Sequence, residues 1–125
     1  MATSITTLSS QFSDIILQDT NTDENAKNDV TQGTGSVYSI FIQNGIGSTS
    51  IFFKIYDLTS ATVGTDSPIF IVKIAASATK QIIIPDGMPF TTGLSYCTTD
   101  QNGSQAAGSG YASASGNVTV RIVTS

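Results

Sequence analysis

Charge is what this chain has least of. Asp, Glu, Lys and Arg make up 11% of its 125 residues, where a soluble domain usually carries about 25%. It has no His and no Trp, and a single Cys. Without His, Ser–His and Cys–His nucleophilic chemistry lose their base, and the commonest metal ligand is missing. One Cys excludes an intrachain disulfide, and Cys97 lies in the apolar stretch Leu94-Ser95-Tyr96-Cys97, where a small core hydrophobe is expected. The five bases, Lys27, Lys54, Lys73, Lys80 and Arg121, are scattered singly among nine acids. Nucleic acid and anionic membrane surfaces both demand clustered Lys and Arg, so neither is an expected partner. No apolar run has the length of a membrane-spanning helix. Met1 to Ile5 has neither the positive region nor the apolar core of a secretory signal. The expectation is a chain made in a cytoplasm that stays soluble, as a virion component released by lysis would, not an enzyme, with no cofactor and no metal.

What the chain has instead is hydroxyl groups and β-forming residues. Ser and Thr far outnumber the charged residues, and hydrophobic residues make up 39%. The length suits one domain. Residues 1–36 read as an N-terminal arm and polar loop. They hold the acids Asp14, Asp19, Asp23, Glu24 and Asp29 and a short apolar cluster, Leu8, Phe12, Ile15, Ile16 and Leu17. The spacing of 8, 12, 15 and 16 suits one helical face, but the Ser and Thr content and the shortness of the run favour a strand at Ile15–Leu17.

Residues 37–125 read as the β domain. Val37–Gln43 is β-branched and aromatic, and Ile51–Tyr56 follows, with Lys54 marking its outward face and Ile51, Phe53 and Ile55 its core face. Asn44–Ser48 between them reads as a hairpin loop. Further strands are expected at Ile69–Ile74, at Lys80–Ile84 (stopped by Pro85-Asp86-Gly87) and at Gly93–Thr99. The last, Asn117–Val123, should bury Val118, Val120 and Ile122 and expose Thr119 and Arg121. Residues 100–116 are Gly, Ser, Ala and Asn around a lone Tyr111 and read as a loop. Six or seven short strands without a helix predict an all-β fold. The reading is a single antiparallel β-sandwich, jelly-roll-like, or a small barrel, with an N-terminal arm.

Chemical motifs are few. Asp19-Thr20-Asn21-Thr22-Asp23 matches the start of a calcium loop, but Glu24 and Val30 stand where the EF-hand needs Gly and Glu. A looser calcium site from Asp19, Asn21, Asp23 and Glu24 competes with a plain solvated loop. Gly33-Thr34-Gly35 precedes a strand rather than a helix and is no dinucleotide fingerprint. Asp57, Asp66, Asp86 and Asp100 sit in turns, where Asp is favoured for local backbone bonding, not as paired catalytic acids. Tyr38, Tyr56, Tyr96 and Tyr111 are the available aromatic contacts for a sugar, with Tyr111 the best placed.

From Phe53 onward the order of turn and strand markers is distinctive. Phe53-Lys54-Ile55-Tyr56-Asp57 leads to Ala61-Thr62-Val63-Gly64-Thr65-Asp66-Ser67-Pro68. Ile84-Pro85-Asp86-Gly87 and Phe90-Thr91-Thr92-Gly93-Leu94-Ser95-Tyr96 follow, and Gly116-Asn117-Val118-Thr119-Val120 closes the series. Over about residues 51–125 the chain resembles small tailed-phage virion proteins of the capsid decoration or cement type. The resemblance implies a structural protein of the virion, made in the host cytoplasm and placed on the capsid surface. Its implied partners are the major capsid protein, at subunit junctions, and itself, as a homotrimer. Leu8, Phe12, Ile15, Ile16, Leu17 and Tyr111 are the implied capsid or oligomer interface. A fibre, spike or tail subunit, or a carbohydrate- or host-surface-binding sandwich, are the alternatives. On the arm reading, deleting residues 1–20 should leave a folded β domain that no longer attaches.

Overall fold

A computed structural model describes residues 3–7, 15–100 and 117–125. Among these residues there are eight strands: β1 (Thr3–Thr7), β2 (Ile15–Asp19), β3 (Gly35–Asn44), β4 (Ile51–Asp57), β5 (Phe70–Ile74), β6 (Thr79–Phe90), β7 (Leu94–Thr99) and β8 (Val118–Thr124). They form two antiparallel sheets, one ordered β1-β2-β8-β3-β6 and the other β5-β4-β7. Both sheets keep free edges, so the fold is a sandwich and not the closed barrel that the strand pattern also allowed.

The connectivity is that of one long antiparallel ribbon rolled up. At its centre β4 pairs with β5, and outside that β3 pairs with β6. Next, residues 22–30 run beside β7: the Lys27 amide donates to the Tyr96 carbonyl at 2.8 Å, and the Tyr96 amide returns the bond at 3.0 Å. Outermost, β2 pairs with β8. Rolling this ribbon puts alternate pairs in opposite sheets, and β8–β3 and β7–β4 contacts stitch the pairs together. That winding is a jelly roll.

The core follows from the period of two. Ile40 and Ile42 of β3 and Val118, Val120 and Ile122 of β8 face inward, against Phe53 and Ile55 of β4. Thr119 and Arg121 lie on the other face, as expected from sequence. The Phe53 and Tyr96 rings meet at 5.7 Å between centroids, tilted by 41°. Such aromatic pairs add to stability beyond the area they bury.

Three expectations are corrected. Asn44–Ser48 is not a hairpin loop, because β3 and β4 lie in different sheets. It is a crossover, and Asn44 holds its corner from a buried position. The Asn44 side-chain amide donates to the carbonyls of Thr49 (2.9 Å) and Ala75 (3.1 Å), and its oxygen accepts the Ile46 amide at 3.0 Å.

Pro85-Asp86-Gly87 does not stop β6. The strand continues to Phe90 through a bulge: Val37 pairs with Met88 but Ser39 pairs with Ile83. Proline is tolerated because β6 is an edge strand and the bulge frees this stretch from the ladder. Gly87 takes φ +79 there, and a Cβ on it would meet the Tyr38 ring at 2.9 Å.

Lys54 does not mark a solvent face; it is 0% exposed. The outer face of the small sheet is covered as well as the inner one. At one end of it the Ser95 hydroxyl donates to the Leu58 carbonyl at 2.6 Å and accepts the Asp29 amide at 3.0 Å. The near-continuous apolar run Ile51-Phe52-Phe53-Lys54-Ile55-Tyr56 is the sequence trace of a strand buried on both faces.

Asp57 ties the end of β4 to the turn before β7. Its carboxylate accepts the Thr91 amide at 3.0 Å, the Thr92 amide at 2.7 Å, the Gly93 amide at 3.3 Å and the Thr91 hydroxyl at 3.2 Å. The Thr91 amide is the main cause that holds the carboxyl below the usual carboxylate range; partial burial opposes it, and the other donors add to it. With the folded value depressed, this stabilisation is present above the unfolded pKa of about 3.9 and is lost as pH falls through the folded one. Asp57→Asn should therefore be less stable than the parent at pH 7. In urea titrations the two midpoints should converge in acid. A gap that persists at the lowest pH would assign the loss to packing instead of charge.

Candidate interaction surface

The two sheets end differently on their two sides. On one side, β1 runs along β2 and residues 22–30 run along β7, so the core is closed there and Leu17, Leu94 and Tyr96 are fully buried. On the other side, β5 and β6 are the free edges of the small and large sheets. The crossover between them is short, and the Lys80 ammonium on β6 bridges back to the Lys73 carbonyl on β5 at 2.9 Å.

Between these two edges the core is only partly covered among the described residues. Phe70 and Val72 of β5 and Ile82, Ile84 and Met88 of β6 pack against the core while remaining only partly buried. Ile69 just before β5 is 47% exposed and Ile83 is 62% exposed; they are the exposed large hydrophobics among the described residues. The charges along β5 and β6 are few: Lys73, Lys80 and Asp86. The result is an apolar seam running down one side of the sandwich. Ile83 also ends a row across the outer face of the large sheet, in which Ile16 pairs with Val123, Val123 with Ser39, and Ser39 with Ile83. In the adjoining row the Arg121 guanidinium lies 5.7 Å from the Phe41 ring centroid and donates to Gln18 at 2.9 Å.

The interface residues expected from sequence are dispersed. Leu8, Phe12 and Tyr111 lie outside the described residues. Ile15 and Ile16 are half-buried on β2, with Ile16 on the outer face beside Val123. Leu17 is wholly buried in the core and offers no surface to a partner. The exposed Ile69 and Ile83, which alternate onto the outer faces of the two sheets, were missed. A signal existed, since three consecutive isoleucines, Ile82-Ile83-Ile84, cannot all face one core in a strand of period two.

Polar side chains are spent on structure. Asp19 is buried, accepting the Tyr96 hydroxyl at 2.9 Å and the Asn21 amide at 3.0 Å, while Asp23 accepts the Asn25 amide at 2.9 Å. The Thr22 and Thr98 hydroxyls meet at 2.8 Å. Among the described residues no three acidic, Cys or His side chains are placed to hold a metal ion, so the loose calcium site of residues 19–24 is not assembled. Cys97 is buried opposite Lys54 and 3.7 Å from the Tyr56 hydroxyl. Burial is the main cause that pushes the thiol up and the Lys54 ammonium down, and it raises the Tyr56 phenol well above its usual value. A thiol kept protonated and covered is a poor nucleophile.

The described surface presents apolar side chains, strand edges and hydroxyl groups. The chain matches no family model, no curated protein and no solved structure.

Proposed function

We propose that the chain is a phage virion structural protein of the decoration or cement type, which binds the assembled shell at subunit junctions, stabilises it and sits on the capsid surface. The observation that carries this reading is the open seam. A core left partly exposed along one side among the described residues, in a surface almost without charge, calls for coverage by a protein partner. Low charge suits permanent assembly, because contacts made by apolar groups and hydroxyls weaken less in salt than ion pairs do. Jelly rolls recur in viral capsid and lectin domains, which supports the reading by analogy of fold only. The order of markers over residues 51–125 supports it independently. The sugar-binding alternative keeps less support, since Tyr56 and Tyr96, two of the four tyrosines, are fully buried.

On this reading the apolar β5–β6 side is covered by protein in the assembled virion, and the protein works as a homotrimer. Quantitative mass spectrometry of virions from the encoding phage tests this. A copy number that matches the number of capsid subunit junctions is expected. A handful of copies would assign the chain to the tail or a fibre, and absence from virions would overturn the proposal.

A further inference from the structure

We propose that Lys54 and Cys97 are an oxidative modification site, where a hydroperoxide joins the two side chains through a sulfenamide (Sγ–Nζ) bond that staples β4 to β7. The site does not depend on the virion reading. It rests on where the fold puts the two side chains.

The register brings them together. Lys54 and Cys97 are paired positions on neighbouring antiparallel strands, so their Cβ atoms stand about 4.5–5.5 Å apart on one face. Phe53 and Ile55, the neighbours of Lys54 on β4, point into the core, which leaves Lys54 on the outer face of the small sheet. Tyr56 alternates onto that same face, and its hydroxyl lies 3.7 Å from the Cys97 sulfur. The four-carbon stem of Lys54 is long enough to carry Nζ across to the sulfur. Each group also feels the other's charge. A thiolate at 97 favours the ammonium at 54, and the ammonium favours the thiolate.

Burial then selects the chemistry. Lys54 is 0% exposed and Cys97 is 1% exposed, whereas the other four bases all reach solvent to some extent. Burial pushes Lys54 toward the neutral amine, the form that has a lone pair to give. Cys97 is the single cysteine of the chain, so a sulfenic acid formed on it has no second thiol within the molecule. Sulfenic acids also condense with nitrogen, and here an amine stands across the strand.

The reaction takes two steps. Lys54 accepts the thiol proton and the thiolate attacks a peroxide oxygen. The S–O bond forms, the O–O bond breaks, and the departing hydroxide leaves as water with the proton from Nζ. The neutral amine then attacks the sulfur. The N–S bond forms, the S–O bond breaks, and the second hydroxide leaves as water with a proton from the nitrogen. The sulfur is oxidised by two electrons and the peroxide is reduced by two. Thiol, amine and one hydrogen peroxide give the sulfenamide and two waters. The cover over the thiol makes the reaction slow, and it shields the sulfur from further oxidant once the bond has formed.

The test is hydrogen peroxide treatment of the purified full chain, followed by peptide-mapping mass spectrometry, which separates Cys97 from the oxidation of Met1 and Met88. The map should join the Lys54 and Cys97 peptides with the loss of two hydrogen atoms, and dithiothreitol should part them. The treated protein should unfold at higher urea than the same sample after dithiothreitol, because the staple closes a loop in the unfolded chain. Lys54→Met should leave Cys97 to gain oxygen atoms with no link, as a thiol without a capturing amine does. Lys27→Arg, on the segment bridged to Tyr96, should crosslink as the parent does. A Cys97 peptide that gains oxygen without a link in the wild type, a link from Cys97 to any residue but Lys54, or a sulfur untouched by peroxide would overturn the inference. The wild-type map locates the bond by itself, so the test holds even where Lys54→Met does not fold.

Discussion

Val120→Asp should unfold the protein, and Thr119→Asp, one residue away, should barely disturb it. Val120 is fully buried in β8, and its neighbours across the strands are Ile42 of β3 and Asp19 of β2. Asp19 is itself buried and already bonded to Tyr96. A carboxylate at position 120 would lose its hydration, find no donor ready for it and lie against an existing acid. Each of these effects opposes ionisation, and the protonated form still buries an unsatisfied polar group. The cost is several kcal/mol, set against a total stability of about 5–15 kcal/mol for a domain of this kind. Thr119 lies on the outer face opposite Gln43, half-buried, where a substitution of this sort usually costs about 0.5 kcal/mol. Urea unfolding followed by circular dichroism reads both. Equal damage at the two positions would mean that β8 is paired one residue out of register, because a shift of one exchanges the two faces.

Deleting residues 1–20 should also abolish folding, which reverses the expectation drawn from the sequence. The N-terminal segment looked like an arm because its acids and hydroxyls stand apart from the regular strands that follow. The structure makes β2 an interior strand of the large sheet, between β1 and β8. Its loss removes Leu17 from the core, where truncating such a side chain alone costs about 2–5 kcal/mol. It removes Asp19 from the Tyr96 hydroxyl, leaving a buried donor without its partner. It also strips the β2 side of β8, turning Val120–Thr124 into an exposed edge. Deleting only residues 1–7 removes the edge strand β1 and leaves β2 in place, so that variant should fold. A cooperative melt from the longer deletion, matching that of the shorter one, would show that β2 is dispensable and restore the arm.

Much of the fold was readable because strands carry their own signal. The alternation in Val118–Val123 and the β-branched run in Val37–Gln43 placed β8 and β3 to within a residue or two, and gave the inward residues of β8 correctly. Lys54 failed for a definite reason. Alternation assumes that a charged residue marks a solvated face, and here both faces of β4 are covered, so Lys54 is buried. Pro85 failed because a proline ends an interior strand but not an edge strand with a bulge, and no local feature says which strand will be the edge. The seam failed likewise. The triple isoleucine showed that one side chain must face outward, but which neighbour would cover it depends on where β5 and β6 fall in the two sheets.

The sequence by itself determined the class of the protein. Low charge, the lack of His and the strand periodicity are local or compositional properties, and they led to an all-β fold of the sandwich or small-barrel kind. Only the tertiary structure decided which strands lie at edges, that the ribbon rolls into a jelly roll, that β2 is interior, and that the core is closed on one side and open on the other. Those features arise from pairings between residues far apart in the chain. Period-two patterning specifies that a residue is buried; it carries no record of what buries it.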